Sequence, residues 1–371
     1  NSGRKLTRRH DDIETAIRSV PHHQRQTLRS VAAHSGIPKT SIVRHMKAVA
    51  RLKARSSYVK PYLTEANQRT RLEFAMSFLK PSRDGTILFV DMHNYVHVDE
   101  KWFYLTKVKR RYYVYDDEEL ALRAVRSKAF ITKVMFLAAV ARPQYDPHTK
   151  QVFSGKVGVW PFVQRSPAAR TSKNRPKGTI ITVPQTVNSD VYLDAVLHKV
   201  VPAIKAKFPR GRLQHGVVVQ QDNASPHRCV TTDMLRTRGV EGISIANQPA
   251  NSPDFNVLDL GFFNSIQSLQ HQKCTRTIEE LIDAVETAFY ELPVDTLSKT
   301  FITFQKVLEK SIEIQGSNDY KLPHMNKDTT IKNLSSFTVE CNSTTYEDAL
   351  VHLSCRLGEE IHLEGLVNSL E

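Results

Sequence analysis

A chain of 371 residues that is 40% hydrophobic can bury a sizeable core and has room for two or three domains. It holds no run of about 18 apolar residues, so no transmembrane helix is expected, and its polar, basic opening is unlike a signal peptide. The net charge of +14 is concentrated at one end: residues 1–60 hold 14 Lys and Arg against 3 Asp and Glu, whereas residues 321–371 hold 4 against 8.

A basic head on a near-neutral body suits a polyanion. Its basic residues do not lie on a strongly apolar amphipathic helix, so a membrane surface is not the expected partner. The chain opens at Asn1 rather than Met. The expectation is therefore a fragment or a processed chain with upstream elements missing.

Residues 1–50 read as an all-helical domain. Residues 11–20 carry Ile13, Ala16, Ile17 and Val20 at helical spacing and stop at Pro21. Residues 27–34 give a second short helix with Leu28, Val31 and Ala32 apolar. Ser35-Gly36-Ile37-Pro38 is a tight turn, with Gly36 suited to a left-handed position and Pro38 to the first turn of the next helix. A third helix runs over about 39–50, with Ile42, Val43 and Met46 inward. Helix, Gly-containing turn, helix is the helix-turn-helix pattern. Its second helix enters the DNA major groove N-terminal end first. Here that end offers Lys39, Thr40, Ser41 and Arg44, followed by His45 and Lys47, to base edges and phosphates. An ordinary three-helix bundle with a polar face is the alternative, and the charge of the head favours DNA.

Residues 51–84 read as a basic linker (51–57) and a helix (64–79) ended by Lys80-Pro81. From 85 to 320 the pattern is that of a mixed α/β sheet. Strands are expected over 86–90, 95–98 continuing to 105, 111–115 as the return of a hairpin, 134–140, 158–164, 217–221 and 243–246. Helices are expected over 189–207 with Ser189 as N-cap, over 229–237, 260–270 and through 277–313. Between them, residues 165–177 form an exposed basic insertion with Arg165, Arg170, Lys173, Arg175 and Lys177 and no acid. It reads as a DNA-contacting loop, with a solubilising insertion as the alternative. Residues 321–371 read as an appended acidic tail with two short helices and no assigned role. Cys229, Cys274, Cys341 and Cys355 form no CxxC pair. No zinc site is expected, and the reduced thiols fit a cytosolic or nuclear compartment.

Three aspartates carry the chemistry of this reading. Asp99 lies in the strand 95–105, Asp222 directly follows the strand 217–221, and Asp259 precedes the helix at Leu260. Displacement at phosphorus needs an activated attacking oxygen and a stabilised leaving oxygen. Two divalent ions about 3.5–4 Å apart can supply both. Mg2+ and Mn2+ prefer oxygen ligands, so carboxylates should hold them. Each aspartate alone also reads as a turn or cap residue, and Asp254 rivals Asp259 as the third ligand. Glu100 falls on the opposite strand face from Asp99, as a surface or supporting group, and Trp102 as packing. Asn223 and His227 read as turn residues or as groups touching a ligand. The run Asp116, Asp117, Glu118, Glu119 reads as a solvated loop.

Three blocks occur in order: Val98-Asp99-Glu100-Lys101-Trp102, Gln221-Asp222-Asn223-Ala224 followed by His227, and Ser252-Pro253-Asp254-Phe255-Asn256-Val257-Leu258-Asp259. With Leu260-Gly261-Phe262-Phe263 and Trp160-Pro161-Phe162, they resemble the mariner family of DNA transposases in the Tc1/mariner superfamily, nearest its plant-type branch. The resemblance runs from about 10 to 326. It implies an RNase H-like catalytic core over 85–320 behind the N-terminal DNA-binding domain, with Asp99, Asp222 and Asp259 as catalytic metal ligands for Mg2+ or Mn2+. It further implies double-stranded DNA partners (terminal inverted repeats and TA target sites), a homodimer in the synaptic complex, nuclear location, and cut-and-paste excision and reinsertion. Two departures stand out. The 36 residues between Asp222 and Asp259 are fewer than the plant-type pattern has, and one helix-turn-helix is read where the family has two. A domesticated relative that binds DNA without catalysis is the competing expectation, ahead of an unrelated RNase H-like nuclease.

Overall fold

In a computed structural model, the structure describes residues 8–54, 59–107, 118–119, 130–172, 175–323 and 325–368, with backbone alone for 328–329 and 356–368. The expected return strand 111–115, Asp116 and Asp117, Lys173, and part of the 51–57 linker lie outside the described residues. The chain divides into two compact units, Asn1–Lys60 and Pro61–Glu371. The boundary falls later than the expected 50, and the helix assigned to a linker region belongs to the second unit.

The first unit is three helices, α1 (His10–Arg18), α2 (Leu28–Ser35) and α3 (Lys39–Val49), with a 3-10 turn at His22–Gln24. Ile13, Ile17, Val31, Ile37 and Ile42 form its core. Thr27 caps α2 by accepting from the Ser30 amide at 3.1 Å, a bond of about 1 kcal/mol. Gly36 ends α2 at φ +67°, a left-handed conformation that favours glycine and redirects the chain into α3.

Among the described residues, the second unit is built on a five-stranded mixed sheet. Its strands are β1 (Tyr95–Tyr104), β2 (Lys133–Ala141), β3 (Lys156–Pro161), β4 (Val217–Gln221) and β5 (Ile243–Asn247), in the spatial order β5-β4-β1-β2-β3. β2 pairs antiparallel with both β1 and β3, and β4 pairs in parallel with both β1 and β5. That order and direction make the α/β fold RNase H-like. The side-chain alternation of a strand divides β1 between two cores. Val96 and Val98 join Leu137 and Ala139 of β2 under the helical run Ser189–Ala195, Val196–Val200 and Val201–Lys207. Phe103 joins Phe136, Ala138 and Val140 on the other face. That face is covered by α4 (Glu65–Met76), α5 (Phe263–Gln270), α6 (Ile278–Glu291) and α7 (Val294–Glu313). α7 places Leu297, Phe301, Phe304, Leu308 and Ile312 at helical spacing and buries all of them, each contributing roughly 1.5–3 kcal/mol.

Several local expectations are corrected. Asn188 rather than Ser189 caps its helix, accepting from the Val191 amide at 2.9 Å. The stretch expected as one helix over 229–237 is a 3-10 turn, Ser225–Cys229, then Thr232–Thr237 capped by Thr231. Pro293 divides the expected helix 277–313 into α6 and α7.

The acidic tail is not an appendage. Glu340–Cys341 pairs antiparallel with Ile87–Phe89, which also pairs with Leu79–Pro81. Ile331, Val339, Cys341 and Ala349 enter the main core. The segment holds one short helix, Lys327–Thr330, and one long helix, α8 (Ser343–Asn368), in place of the two short helices expected. The buried Arg142 guanidinium holds this segment by donating to the carbonyls of Asp91 (2.9 Å), Leu334 (3.3 Å) and Phe337. Net charge hid the few apolar positions that dock it.

Candidate active site

Asp99 sits in mid-β1 opposite Ala138, on the face it shares with His97, Lys101 and Phe103. One carboxylate oxygen accepts from the Glu100 amide at 2.7 Å, and the other from Asn256 Nδ2 at 3.2 Å. Asn256 also donates to the Val98 carbonyl at 3.3 Å and accepts from the Leu258 amide at 2.9 Å. It thereby ties the third sequence block to β1.

Asp222 is the first residue beyond β4. Gln220 stands opposite His97 in the parallel register, so two further residues bring Asp222 level with Asp99. Asp259 comes from a π-helical turn, Leu258–Phe262, not from an N-cap position. Gly261 kinks the chain there at φ +151°, a conformation open to glycine, and α5 follows.

The three carboxylates feel one another. Burial pushes Asp99 well above the usual carboxylate range, and the charges of Asp259, Glu100 and Asp222 push it further. Burial also raises Asp259, against the charge of Lys101 and a hydrogen bond with Asp99. For Asp222 burial acts upward, but bonds from His227 and the Ala224 amide prevail and lower it. Burial alone would lower His227, yet bonds to Asp222 and Glu100 carry it up to about 10.

Asp254 and Asp259 differ in their partners. Both oxygens of Asp254 are taken by Arg71, from Nη1 and Nη2 at 2.8 Å each, and the Tyr320 hydroxyl donates to one of them. Arg71 is fully buried, donates through Nε to the Gly316 carbonyl at 2.9 Å and lies over the Phe255 ring at 4.1 Å. Asp254 is a structural anchor, and Asp259 is the carboxylate that meets Asp99.

Sequence reasoning missed the supporting residues. Tyr192 donates to Gln221 Oε1 at 3.0 Å. Gln221 Nε2 reaches the His227 carbonyl (3.1 Å), the Val230 carbonyl (3.2 Å) and Asn247 Oδ1 (3.1 Å). Gln220 donates to the Phe255 carbonyl at 2.8 Å. The polar pair that ends an otherwise apolar strand was the available signal. Asn223 has a turn role, donating to the Gln248 carbonyl at 2.6 Å. Trp102 is half-buried beneath the Lys133 ammonium, 4.1 Å from the ring centroid.

On α3, Lys39, Thr40, Arg44 and Lys47 are exposed and Ser41 is half-buried. His45 is not on that face: it is buried, with its Nδ1 3.0 Å from Nδ1 of His10. The basic insertion is the end of a β-hairpin, Val163–Pro167 with Ile180–Pro184, closed by backbone bonds between Ser172 and Arg175. Arg170 and Lys177 are exposed there and Arg175 is half-buried.

Among the described residues no group of three or more His, Cys, Asp or Glu side chains is set to hold a metal ion. In chemistry the donor set suits Mg2+ or Mn2+. It is all carboxylate, and the repulsion that raises Asp99 is what a divalent cation would relieve. Among the described residues no helix is long and apolar enough to cross a membrane.

No family model matches the chain. Over 327 residues it is 22% identical to the Homo sapiens histone-lysine N-methyltransferase SETMAR, covering 85% of this chain and 40% of that protein. The chain thus spans about 40% of the length of the curated relative it matches. Among solved structures it is similar to a pre-cleavage Mos1 transpososome, with TM-score 0.58 and 17% identity over 86% of this chain and 82% of that one. It is also similar to the Mos1 mariner paired-end complex with Mn, with TM-score 0.57 and 17% identity over the same shares, 86% and 82%. A third match is the Mos1 transposase paired-end complex with left transposon end, with TM-score 0.56 and 17% identity over 85% of this chain and 81% of that one. At such identity the likeness is one of fold: a helical N-terminal region and an RNase H-like α/β unit, as in those transposase structures.

Proposed function

We propose that this chain is a cut-and-paste DNA transposase of the mariner family, nearest the plant-type branch, which binds terminal inverted repeats and cleaves and joins DNA strands. The observation that carries the reading is geometric: the register of β4 with β1 brings Asp222 level with Asp99, and Asn256, in the same block as Asp259, bonds the Asp99 carboxylate. The similarity in fold to Mos1 transposase complexes supports it.

Asp99, Asp222 and Asp259 would hold Mg2+ or Mn2+, whose chemistry is to activate an attacking oxygen and to stabilise the leaving one. Asn256 orients Asp99 through its Oδ2, and the Ala224 amide orients Asp222 through its Oδ1. Lys39, Thr40, Ser41, Arg44 and Lys47 would read the duplex. Arg170, Lys173, Arg175 and Lys177 would hold phosphates. A homodimer on paired ends and a nuclear location belong to the same proposal.

The second reading is a domesticated protein that binds DNA without cutting. Incubation with Mn2+ and DNA carrying candidate terminal repeats separates the two. The native chain should nick that DNA, and both Asp222→Ala and removal of the metal with EDTA should abolish nicking. Binding without any metal-dependent nicking would favour the domesticated reading.

A further inference from the structure

Asp222 needs support that Asp99 does not. Asp99 lies within a strand, whereas Asp222 stands one residue past a strand end with its side chain 38% exposed. Such a carboxylate turns freely about two side-chain bonds unless something holds it. Its Oδ1 accepts from the Ala224 amide at 2.9 Å and is paired with His227 Nδ1. Both contacts fall on the same oxygen, Oδ1, and neither engages Oδ2.

The ring that holds Asp222 is itself fixed. His227 is 4% exposed, and its Nε2 lies 3.1 Å from Glu100 Oε1. Its face stacks on Tyr192 with centroids 3.9 Å apart and planes 26° from parallel. Tyr192 is pinned by Gln221, which also bonds the His227 carbonyl. Glu100 projects from β1 on the face opposite Asp99. Adjacent residues of one strand therefore serve the site from both sides of the sheet: Asp99 directly, Glu100 through His227. A histidine kept only for packing would need neither carboxylate.

Resting on the reading of Asp222 as a metal ligand, we propose that His227 is a positioning residue that presents one oxygen of Asp222 to a divalent cation, with Glu100 setting the His227 ring. Groups that hydrogen-bond a ligating side chain typically change metal affinity by about 10- to 100-fold.

The test is Mn2+ binding to the full chain without DNA, by calorimetry and by loss of the free-ion electron paramagnetic resonance signal. His227→Phe keeps the ring stacked on Tyr192 and removes both nitrogens. It should weaken Mn2+ binding about 10- to 100-fold, and His227→Asn, which returns a donor near the Nδ1 position, should recover part of the loss. Glu100→Gln should weaken binding less, and only when residue 227 is histidine. Native Mn2+ affinity in folded His227→Phe overturns the proposal. If that variant does not fold, Glu100→Gln decides between the native and His227→Asn backgrounds, and an equal effect in both overturns it. Asp222→Ala is the control for the underlying reading: unchanged Mn2+ binding there sinks the metal site itself, not merely the part played by His227.

Discussion

Asp254 and Asp259 belong to one sequence block and have opposite circumstances. Removing the Asp254 carboxylate strands a guanidinium with no exposed surface, and breaking a buried pair in this way costs about 3–5 kcal/mol. Asp254→Ala should therefore lower the urea midpoint strongly, whereas Asp259→Ala, which removes a source of repulsion on Asp99, should leave it unchanged or raise it. Equal midpoints for the two variants would refute the division of roles. The sequence left these two open because the deciding partner, Arg71, is 183 residues away from Asp254. Distance in the chain likewise concealed the Glu100–His227 bond, which spans 127 residues. Asp99 and Asp222 were legible because each sits in or just after an apolar run, where a carboxylate is costly without a purpose.

At the level of elements, periodicity carried most of what could be read. β2 is a nearly continuous apolar run, β4 opens on three valines, and α7 repeats its apolar positions over 20 residues. Caps and breaks were less legible, because Asn188 and Ser189 are both good capping residues and only the backbone angle separates them. β1 shows what alternation costs when a polar residue faces inward. His97 is wholly buried between the edges of Phe301 and Phe304, and burial lowers it to about 3. The unfolded chain, with an ordinary histidine, takes up a proton as pH falls below about 6.5 while the folded chain does not. Stability is thus complete above pH 6.5 and declines toward pH 3, by about 2 kcal/mol at pH 5 from this residue alone. His97→Phe should flatten that part of the pH profile of chemical denaturation, and an unaltered profile would count against a buried neutral ring. On α3, single Arg44→Ala and Lys47→Ala changes should weaken DNA binding. Each should reduce the slope of log affinity against log salt by about 1 if it removes a phosphate contact.

Across the whole molecule, the segment after residue 320 closes the second unit. Ending the chain there would uncover Ile87 and Phe89, discard buried Ile331 and Val339, and leave Arg142 without the Leu334 and Phe337 carbonyls. The two discarded side chains alone contribute about 3–6 kcal/mol. A chain cut at 320 should be expanded and prone to aggregate in size-exclusion chromatography. A monodisperse, cooperatively melting product would show the segment to be dispensable.

The long reach of α4 sets a timetable. Arg71 on that helix bonds the Gly316 carbonyl, 245 residues further along. Ribosomes add about 5–20 residues per second, so α4 waits on the order of ten to fifty seconds for its clasp. The three-helix head needs nothing made later, because its core closes between Ile13 and Ile42. A nascent chain can therefore carry a finished head while the cluster of Asp99, Asp222 and Asp259 is still open.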